Sequence, residues 1–444
     1  MSRIYDALVE IVGPDYVSDQ PEERYLYARD QGTMPPAEPD FVVLPGSTEE
    51  VRRIVLLANR ESIPVVPLGG GLVLSGLSRA LRGGIVVDMK RMNHVLEVNE
   101  TSRYAVVEAG TSQGMLQAYL KKHHPGLKHS IPDSPPIATL AGNVLIYGSG
   151  HLSHAAGFHS DMLNGLEAVL PTGEVVRLGS CATSSYWFSR APLPDLAGLF
   201  VGWTGTTGVV TRLAIKLFPN RPLQDVAFFV TDDEAIVPDV IHRMSGVGVG
   251  EDMVAFMSSK PEWARGFQNV LLTYAADSRD ELRWKRKLIH ASVQRYRNEK
   301  VGGFLPLPPN MRKTLSEAPQ RTLTEFADVR QGGGFEYVGS IMPIDLFPQA
   351  YRVGIEIAGQ HGIDYSTGAR IIGMGHCMMF YYAYPFNRAD EADVDAARCA
   401  LEATNRAALE MGGIPWKAEA PAQREIIERM DPNTFDLMKR LRGV

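Results

Sequence analysis

The segment that most restricts this chain's fold is Pro67-Leu68-Gly69-Gly70-Gly71-Leu72-Val73-Leu74-Ser75-Gly76, which follows directly on the apolar run Ile63 to Val66. Three consecutive glycines carry no β-carbon, so the backbone turns freely and its N–H groups can converge on an anion and approach it closely. A strand running into such a loop reads as part of an α/β unit with a phosphate nest at the strand end. No GK[ST] follows, and the GxGxxG spacing with a downstream acid is missing, so the loop is neither a Walker loop nor a Rossmann fingerprint. Taken alone, it is equally well read as a tight turn without a ligand.

The 444 residues, 45% hydrophobic and 22% charged, suffice for a large core divided among two or three domains, which excludes disordered and fibrous classes. Lysine and arginine number 45 against 51 acids, so there is no positive surplus for nucleic acid. The three cysteines, Cys181, Cys377 and Cys399, are far apart and form no zinc-site spacing, which fits a reducing compartment. The N-terminus has no basic leader, and no run of about 18 apolar residues occurs, so the expectation is a cytoplasmic protein without a membrane span.

Along the chain, Ile4, Leu8 and Ile11 recur at helical spacing, and Ser18 to Asp40 reads as an irregular, proline-rich lead-in. Phe41 to Leu44 is an apolar strand, and Ser47 with Glu50 forms a capping box opening a helix with Val51, Ile54, Val55 and Ala58. Ile85 to Met89, Tyr104 to Ala109 and Leu166 to Leu170 continue the strands. Past Pro219 the glycine loops thin out and new strands are expected at Val226 to Val230 and Phe335 to Ile341. Asp390 to Met411 is the clearest helix, with acids in its first turns and Gly412-Gly413 as its stop.

Two more small-residue loops lie beside apolar strands: Ala138-Thr139-Leu140-Ala141-Gly142-Asn143 and Gly202-Trp203-Thr204-Gly205-Thr206-Thr207-Gly208-Val209. Together with Gly165-Leu166-Glu167 to Gly173, these pieces stand in the order of the FAD-linked oxidase family of vanillyl-alcohol oxidase, p-cresol methylhydroxylase, glycolate oxidase and D-lactate dehydrogenase, which the chain resembles over nearly its whole length. The resemblance implies an α+β fold. Residues 1–220 would form a two-subdomain FAD-binding domain, residues 221–389 a cap over the flavin, and residues 390–444 a segment returning to the flavin domain. It also implies that Pro67, Gly69, Gly70, Gly71, Leu72, Val73, Ser75 and Gly76 take the pyrophosphate. Thr139, Gly142 and Asn143 would run past the ribityl and ring region, Gly205, Thr206, Gly208 and Val209 would approach the ring or adenosine, and Pro132, Asp133, Gly148 and Gly150 are further cofactor-binding candidates.

Relatives that attach FAD covalently use a histidine of the glycine loop or a histidine or tyrosine of the cap. The loop here has no histidine, and the register of Gly373 to Asn387 puts Met379 or Phe380 at the attachment position, so noncovalent FAD is expected. For the chemistry, Asp161 matches a position where an acid faces the flavin, although such a residue also braces turns. His159, with His151 and His154 in the same loop, is a candidate base. Trp416-Lys417 falls where the alkylphenol enzymes carry a Tyr-Arg pair, Lys417 supplying charge less directionally. His376 and Glu419 loosely match the metal-site segment of the 2-hydroxy-acid enzymes, but its other ligands are replaced by Met and aromatic residues, so no metal is expected. Arg370 is a carboxylate-binding candidate or a structural ion pair, and Tyr381, Tyr382 and Tyr384 are a packed strand or a substrate wall.

The function expected is an FAD-dependent dehydrogenase that moves hydride from a small hydroxy acid or alcohol to FAD and electrons to a quinone or a redox partner protein (iron–sulfur, cytochrome or electron-transferring flavoprotein). A para-alkylphenol substrate, a noncatalytic electron-relay subunit of a larger complex, and a reductase running the fold in reverse are the alternatives. The basic run Arg283 to Arg297 reads as a solvated helix face or a dock for an acidic partner.

Overall fold

Phe41–Val43 pairs in parallel with Ile85–Asp88, and so does Val65–Leu68 on the other side, with the helix Thr48–Glu61 crossing between the outer two strands. The computed structural model describes residues 2–30, 32–74, 76–257, 266–316, 332–364 and 366–442. The crossing helix begins as its sequence requires: the Ser47 hydroxyl accepts the Glu50 N–H at 3.2 Å. The Glu50 carboxylate accepts from the N–H of Gly46, one residue before the cap. The lead-in is less irregular than its prolines suggest, because Pro21–Leu26 is helical, with proline in the first turn followed by Glu22 and Glu23.

A second, antiparallel sheet orders Val95–Asn99, Tyr104–Glu108, Val209–Lys216, Leu163–Val169 and Val175–Gly179. One apolar cluster, including Ile54, Val87, Val107, Leu166 and Leu213, is shared by the two sheets. Between them run the three small-residue loops.

The remainder is organised by one eight-stranded sheet. Its order is Gly302–Phe304, Leu223–Thr231, Gln268–Ala276, Asp252–Met257, Ser366–Ile372, Cys377–Asn387, Gly333–Met342 and Ile414–Trp416. Helices Val237–Gly246, Arg279–Ser292, Phe347–His361 and Glu391–Met411 contribute to the core on one face. Side chains alternate along a strand, so Met378, Phe380, Tyr382 and Tyr384 enter that core while Met379, Tyr381 and Ala383 face the other way, toward the glycine loops.

Residues 390–442 contribute to the eight-stranded sheet's side and also touch the first region. The helix Glu391–Met411, capped by Asp390 and ended by left-handed Gly412, packs on the eight-stranded sheet, and Ile414–Trp416 is that sheet's edge strand. The link back is made by side chains: Trp416 Nε1 donates to the Ile146 carbonyl, and Arg398 donates to the Thr33 carbonyl at 3.0 Å.

The alternation has a direct test. Phe380→Ala should lower the unfolding free energy by about 3–5 kcal/mol. Tyr381→Phe, which removes only a hydroxyl on the opposite face, should shift it by less than about 0.5 kcal/mol in the same denaturant titration.

Candidate functional site

The glycine loops and the inner face of the eight-stranded sheet enclose a cavity of about 610 Å³. From the first loop it is lined by Pro67, Gly69, Gly70, Gly71, Leu72 and Val73, from the second by Pro132, Asp133, Thr139, Gly142 and Asn143, and from the third by Gly205, Gly208 and Val209. Three segments distant in sequence therefore form one wall. A β-carbon on Gly70 would sit 2.8 Å from the Ile137 carbonyl oxygen and 3.1 Å from Ala138 Cα, so this glycine permits one loop to close on another. Gly71 has φ +67° with nothing within 4 Å of a β-carbon position, and it leaves backbone open to the cavity.

The other expected cofactor residues that are described lie off the wall, for visible reasons. Ser75 is outside the described residues. The Gly76 N–H donates to Asp30 Oδ2 at 2.7 Å, and the exposed Thr206 hydroxyl turns back to the Trp203 carbonyl. Gly148 and Gly150 are packing glycines that let the chain pass close to Asn143 and to the Ile131 carbonyl.

Among the expected catalytic side chains, Trp416 and Lys417 line the cavity, and the others do not. His159 is buried beneath it: Nδ1 donates to Asn143 Oδ1, and Nε2 accepts from the Ser130 hydroxyl at 2.7 Å. Burial, reinforced by the nearby His129, Arg370 and His151, pushes it down to about 3, so the ring is a neutral brace that orients Asn143. Asp161 is exposed and accepts the Phe158 N–H at 2.8 Å, a turn brace. His376 is exposed at the turn that follows Ser366–Ile372. Glu419 is buried behind the sheet, where Oε2 accepts from Asn405 at 2.6 Å, and burial raises its carboxyl above the usual range. Tyr382 and Tyr384 belong to the core, their hydroxyls meeting the Ala350 carbonyl and Thr404. Among the described residues, no group of three His, Cys, Asp or Glu side chains comes together as a metal site.

Tyr337 and Asp252 are the residues that sequence reasoning missed. Tyr337 stacks on Tyr381 with ring centroids 5.3 Å apart, and both rings line the cavity. Two-residue alternation with Phe335, also on the wall, is the signal that marks Tyr337. Asp252 has no such signal. It holds Arg370 in a fork, Nε–Oδ1 and Nη2–Oδ2 both at 3.0 Å, while Nη2 also meets Asp133 Oδ2 at 2.8 Å. Asp133 in turn meets His151 Nε2 at 3.0 Å. Burial works to raise the Asp133 carboxyl, but Arg370 and His151 overcome it and hold it well below the carboxylate range.

Lys417 differs from Arg370, having no ion pair among the described residues. Its backbone is left-handed, φ +56°, and its Nζ lies 3.9 Å from the centre of the Trp416 ring and 5.6 Å from that of Tyr337. Burial pushes its ammonium down to about 8, with Glu336 working in the opposite direction. Glu336, on the other face of its strand, accepts the Thr33 N–H at 2.7 Å and is pushed up to about 7 by burial.

Residues 39–179 match the family described as FAD binding domain. The chain is 32% identical over 219 residues to glycolate oxidase subunit GlcD of Bacillus subtilis (strain 168), covering 49% of this chain and 45% of that protein. It is 32% identical over 253 residues to the mitochondrial D-lactate dehydrogenase [cytochrome] of Arabidopsis thaliana, covering 56% and 42%. The matched stretch thus spans less than half the length of these two relatives. Among solved structures, p-cresol methylhydroxylase with substrate bound superposes with a TM-score of 0.85 at 18% identity, covering 99% of this chain and 93% of that one. The 4-ethylphenol oxidase from Gulosibacter chungangensis gives 0.79 at 22%, also covering 99% and 93%. The residues present fit FAD: backbone is open at Gly71, and the Ser134 hydroxyl on the wall and the buried Thr207 hydroxyl in the third loop have no hydrogen-bond partner. Gly70→Ala, whose added carbon meets backbone that cannot swing aside, should reduce the flavin-to-protein ratio of the purified protein at least tenfold, read from visible absorbance. The chain therefore carries an FAD binding domain and is a flavoprotein with the fold of p-cresol methylhydroxylase.

Proposed function

We propose that this protein is an FAD-dependent dehydrogenase of a small aromatic hydroxyl compound, a para-alkylphenol or an aromatic alcohol, that passes electrons on to a protein or quinone acceptor. The observation that carries this reading is the division of charge on the sheet wall. Arg370, the guanidinium that would receive a substrate carboxylate, is already bonded to Asp252 and Asp133. Facing the cavity instead are the rings of Tyr337, Tyr381, Trp416 and Phe256, and the ammonium of Lys417. An aromatic substrate would lie among the rings, and Lys417 would stabilise the phenolate or alkoxide oxygen as its proton leaves. FAD, when bound, supplies the two-electron acceptor for the substrate C–H.

A small 2-hydroxy acid is the second reading, supported by the names of the two curated relatives. Anaerobic mixing of the oxidised holoprotein with 4-cresol, 4-ethylphenol, D-lactate and glycolate separates them. Bleaching of the flavin band by the phenols alone supports the first reading, and bleaching by the acids alone replaces it with the second. Retention of the oxidised spectrum with every compound favours an electron-relay subunit.

Two further outcomes are expected. Lys417 is charged below about pH 8 and neutral above, so kcat/KM for the phenol should fall as pH rises through that value. Lys417→Met should lower the flavin reduction rate by about 10²-fold and abolish that limb. We also propose noncovalent FAD, since among the described residues no histidine lines the cavity, Met379 stands on the wall at one of the two register positions expected for the link, and the wall tyrosines Tyr337 and Tyr381 are stacked on each other. Acid precipitation should leave the yellow colour in the supernatant; a coloured pellet would show a covalent link.

A further inference from the structure

Outside the flavin cavity, the basic run Arg283 to Arg297 contains an unassigned feature. Much of its charge is paired at the surface: Arg283 meets Asp280, Lys285 meets Glu281 at 2.8 Å, and Arg295 meets Asp239 at 2.7 Å. This argues against a broad electropositive dock for an acidic protein. Arg286, His290 and Arg297, however, recur on one side of the successive helices Arg279–Ser292 and Gln294–Glu299, and all three line a second cavity of about 450 Å³.

This cavity lies at the edge of the eight-stranded sheet. Its short outer strand, Gly302–Phe304, covers only Phe229–Thr231 of its neighbour, and the chain beyond it, Leu305 to Leu307, and Arg312 form another side. The lining is of two kinds. Phe228, Phe304, Leu305 and Leu307 give an apolar surface, and His290 lies flat on Phe304 with ring centroids 4.0 Å apart and planes 9° off parallel. Three guanidinium groups stand on the lining beside it, and two of them, Arg286 and Arg312, meet a single carboxylate, the buried Asp225 behind the lining. Arg286 is bonded to one oxygen of Asp225, which also accepts from Tyr274 at 2.9 Å, while Arg312 stands 3.6 Å from the other oxygen. Arg297 has no ion pair among the described residues. Among the described residues one carboxylate stands against three arginines, which leaves the lining a net positive charge against an apolar wall.

We propose that this cavity binds a small amphipathic organic anion, with a carboxylate or phosphate head held by Arg297 and Arg312 and an aromatic or short aliphatic body lying on Phe228, Phe304 and Leu307. Guanidinium groups suit such a head because they present planar paired donors, and apolar contact in a concave site supplies the rest of the affinity. The site lies apart from the flavin cavity and shares no lining residue with it, so the proposal stands whichever flavin substrate proves correct.

The experiment uses the FAD-loaded full chain and two probes, phenyl phosphate and benzoate, titrated by calorimetry at low ionic strength while the flavin spectrum is recorded. Saturable binding of at least one probe is expected with Kd below about 1 mM, without a flavin spectral change. Arg297→Gln combined with Arg312→Gln should weaken it at least tenfold. That pair leaves Asp225 bonded to Arg286 and Tyr274, so the fold is retained. Gly303→Trp is a second variant: a β-carbon at this wall position meets nothing within 4 Å, so the ring enters open space and should block binding without altering charge. Lys417→Met should leave the affinity unchanged. Absence of saturable binding for both probes would overturn the proposal, as would equal affinity in the double arginine variant, or binding that perturbs the flavin and disappears with Lys417→Met. The ratio of the phosphate and carboxylate affinities identifies the preferred head group.

Discussion

The two-residue alternation of the strand Cys377–Asn387 in the eight-stranded sheet is the constraint on which the site depends. Even-numbered side chains from Met378 to Tyr384 lock into the helix-covered core, so the odd-numbered ones must face the glycine loops. A slip of one residue would bury Tyr381 and expose Phe380, at the cost of several core side chains at once. The neighbouring strands make room for this arrangement. Tyr381 is flanked in register by Gly339 on one side and Gly368 on the other, and a β-carbon on Gly368 would stand 2.7 Å from the Tyr381 hydroxyl. Gly339 is also paired with Trp416, where a β-carbon would stand 2.8 Å from the indole. Two glycines in strand interiors, ordinarily a weakness, here allow Tyr381 and Trp416 to lie close along the wall.

A second constraint is electrostatic. Asp133 comes from a loop of the first region, whereas Asp252 and Arg370 come from adjacent strands of the eight-stranded sheet. A buried arginine between two carboxylates contributes little net stability, because desolvation offsets much of the attraction, but removal of one partner leaves an uncompensated charge. Its effect is geometric: it fixes the second loop against the sheet and so sets the height of the cavity. Lys128 and Glu251, 2.8 Å apart, repeat the same link nearby. Recruitment of Arg370 into this clasp explains how a buried guanidinium can stand on the cavity wall with its charge already met by two carboxylates.

The glycine loops were legible in the sequence because a missing side chain is itself a signal, and fourteen of the expected cofactor positions lie on one cavity wall. What the sequence could not separate was glycine that faces a ligand from glycine that faces protein. Gly71 opens to the cavity, whereas Gly148 and Gly150 face protein, and the difference lies in contacts with Asn143, Ile131 and His159 that only the folded chain brings together. The same limit affected the ionisable residues. His159, Asp161, His376 and Glu419 have suitable chemistry, but burial, exposure or a backbone partner decides whether a group faces the cavity, and none of these is local in sequence. Alternation was the readable signal that went unused: it separates Tyr381 from Tyr382 and Tyr384, and it singles out Tyr337.

The division between core face and wall face also bears on how one fold can serve different substrates. Because Tyr337, Met379 and Tyr381 are held by strand pairing and Lys417 follows directly on the paired Trp416, a change at any of these side chains alters the cavity without removing a core contact. The converse holds for Glu336. It lies beside Tyr337 in sequence but on the opposite face, sealed from the cavity, and its influence on the wall is through charge alone. Burial pushes Glu336 up to about 7 and Lys417 down to about 8, so each group stands near the pH at which the other changes charge. An ionised Glu336 favours the protonated Lys417, so the charge of the one wall cation that lacks an ion pair among the described residues responds to a residue on the opposite face of the strand.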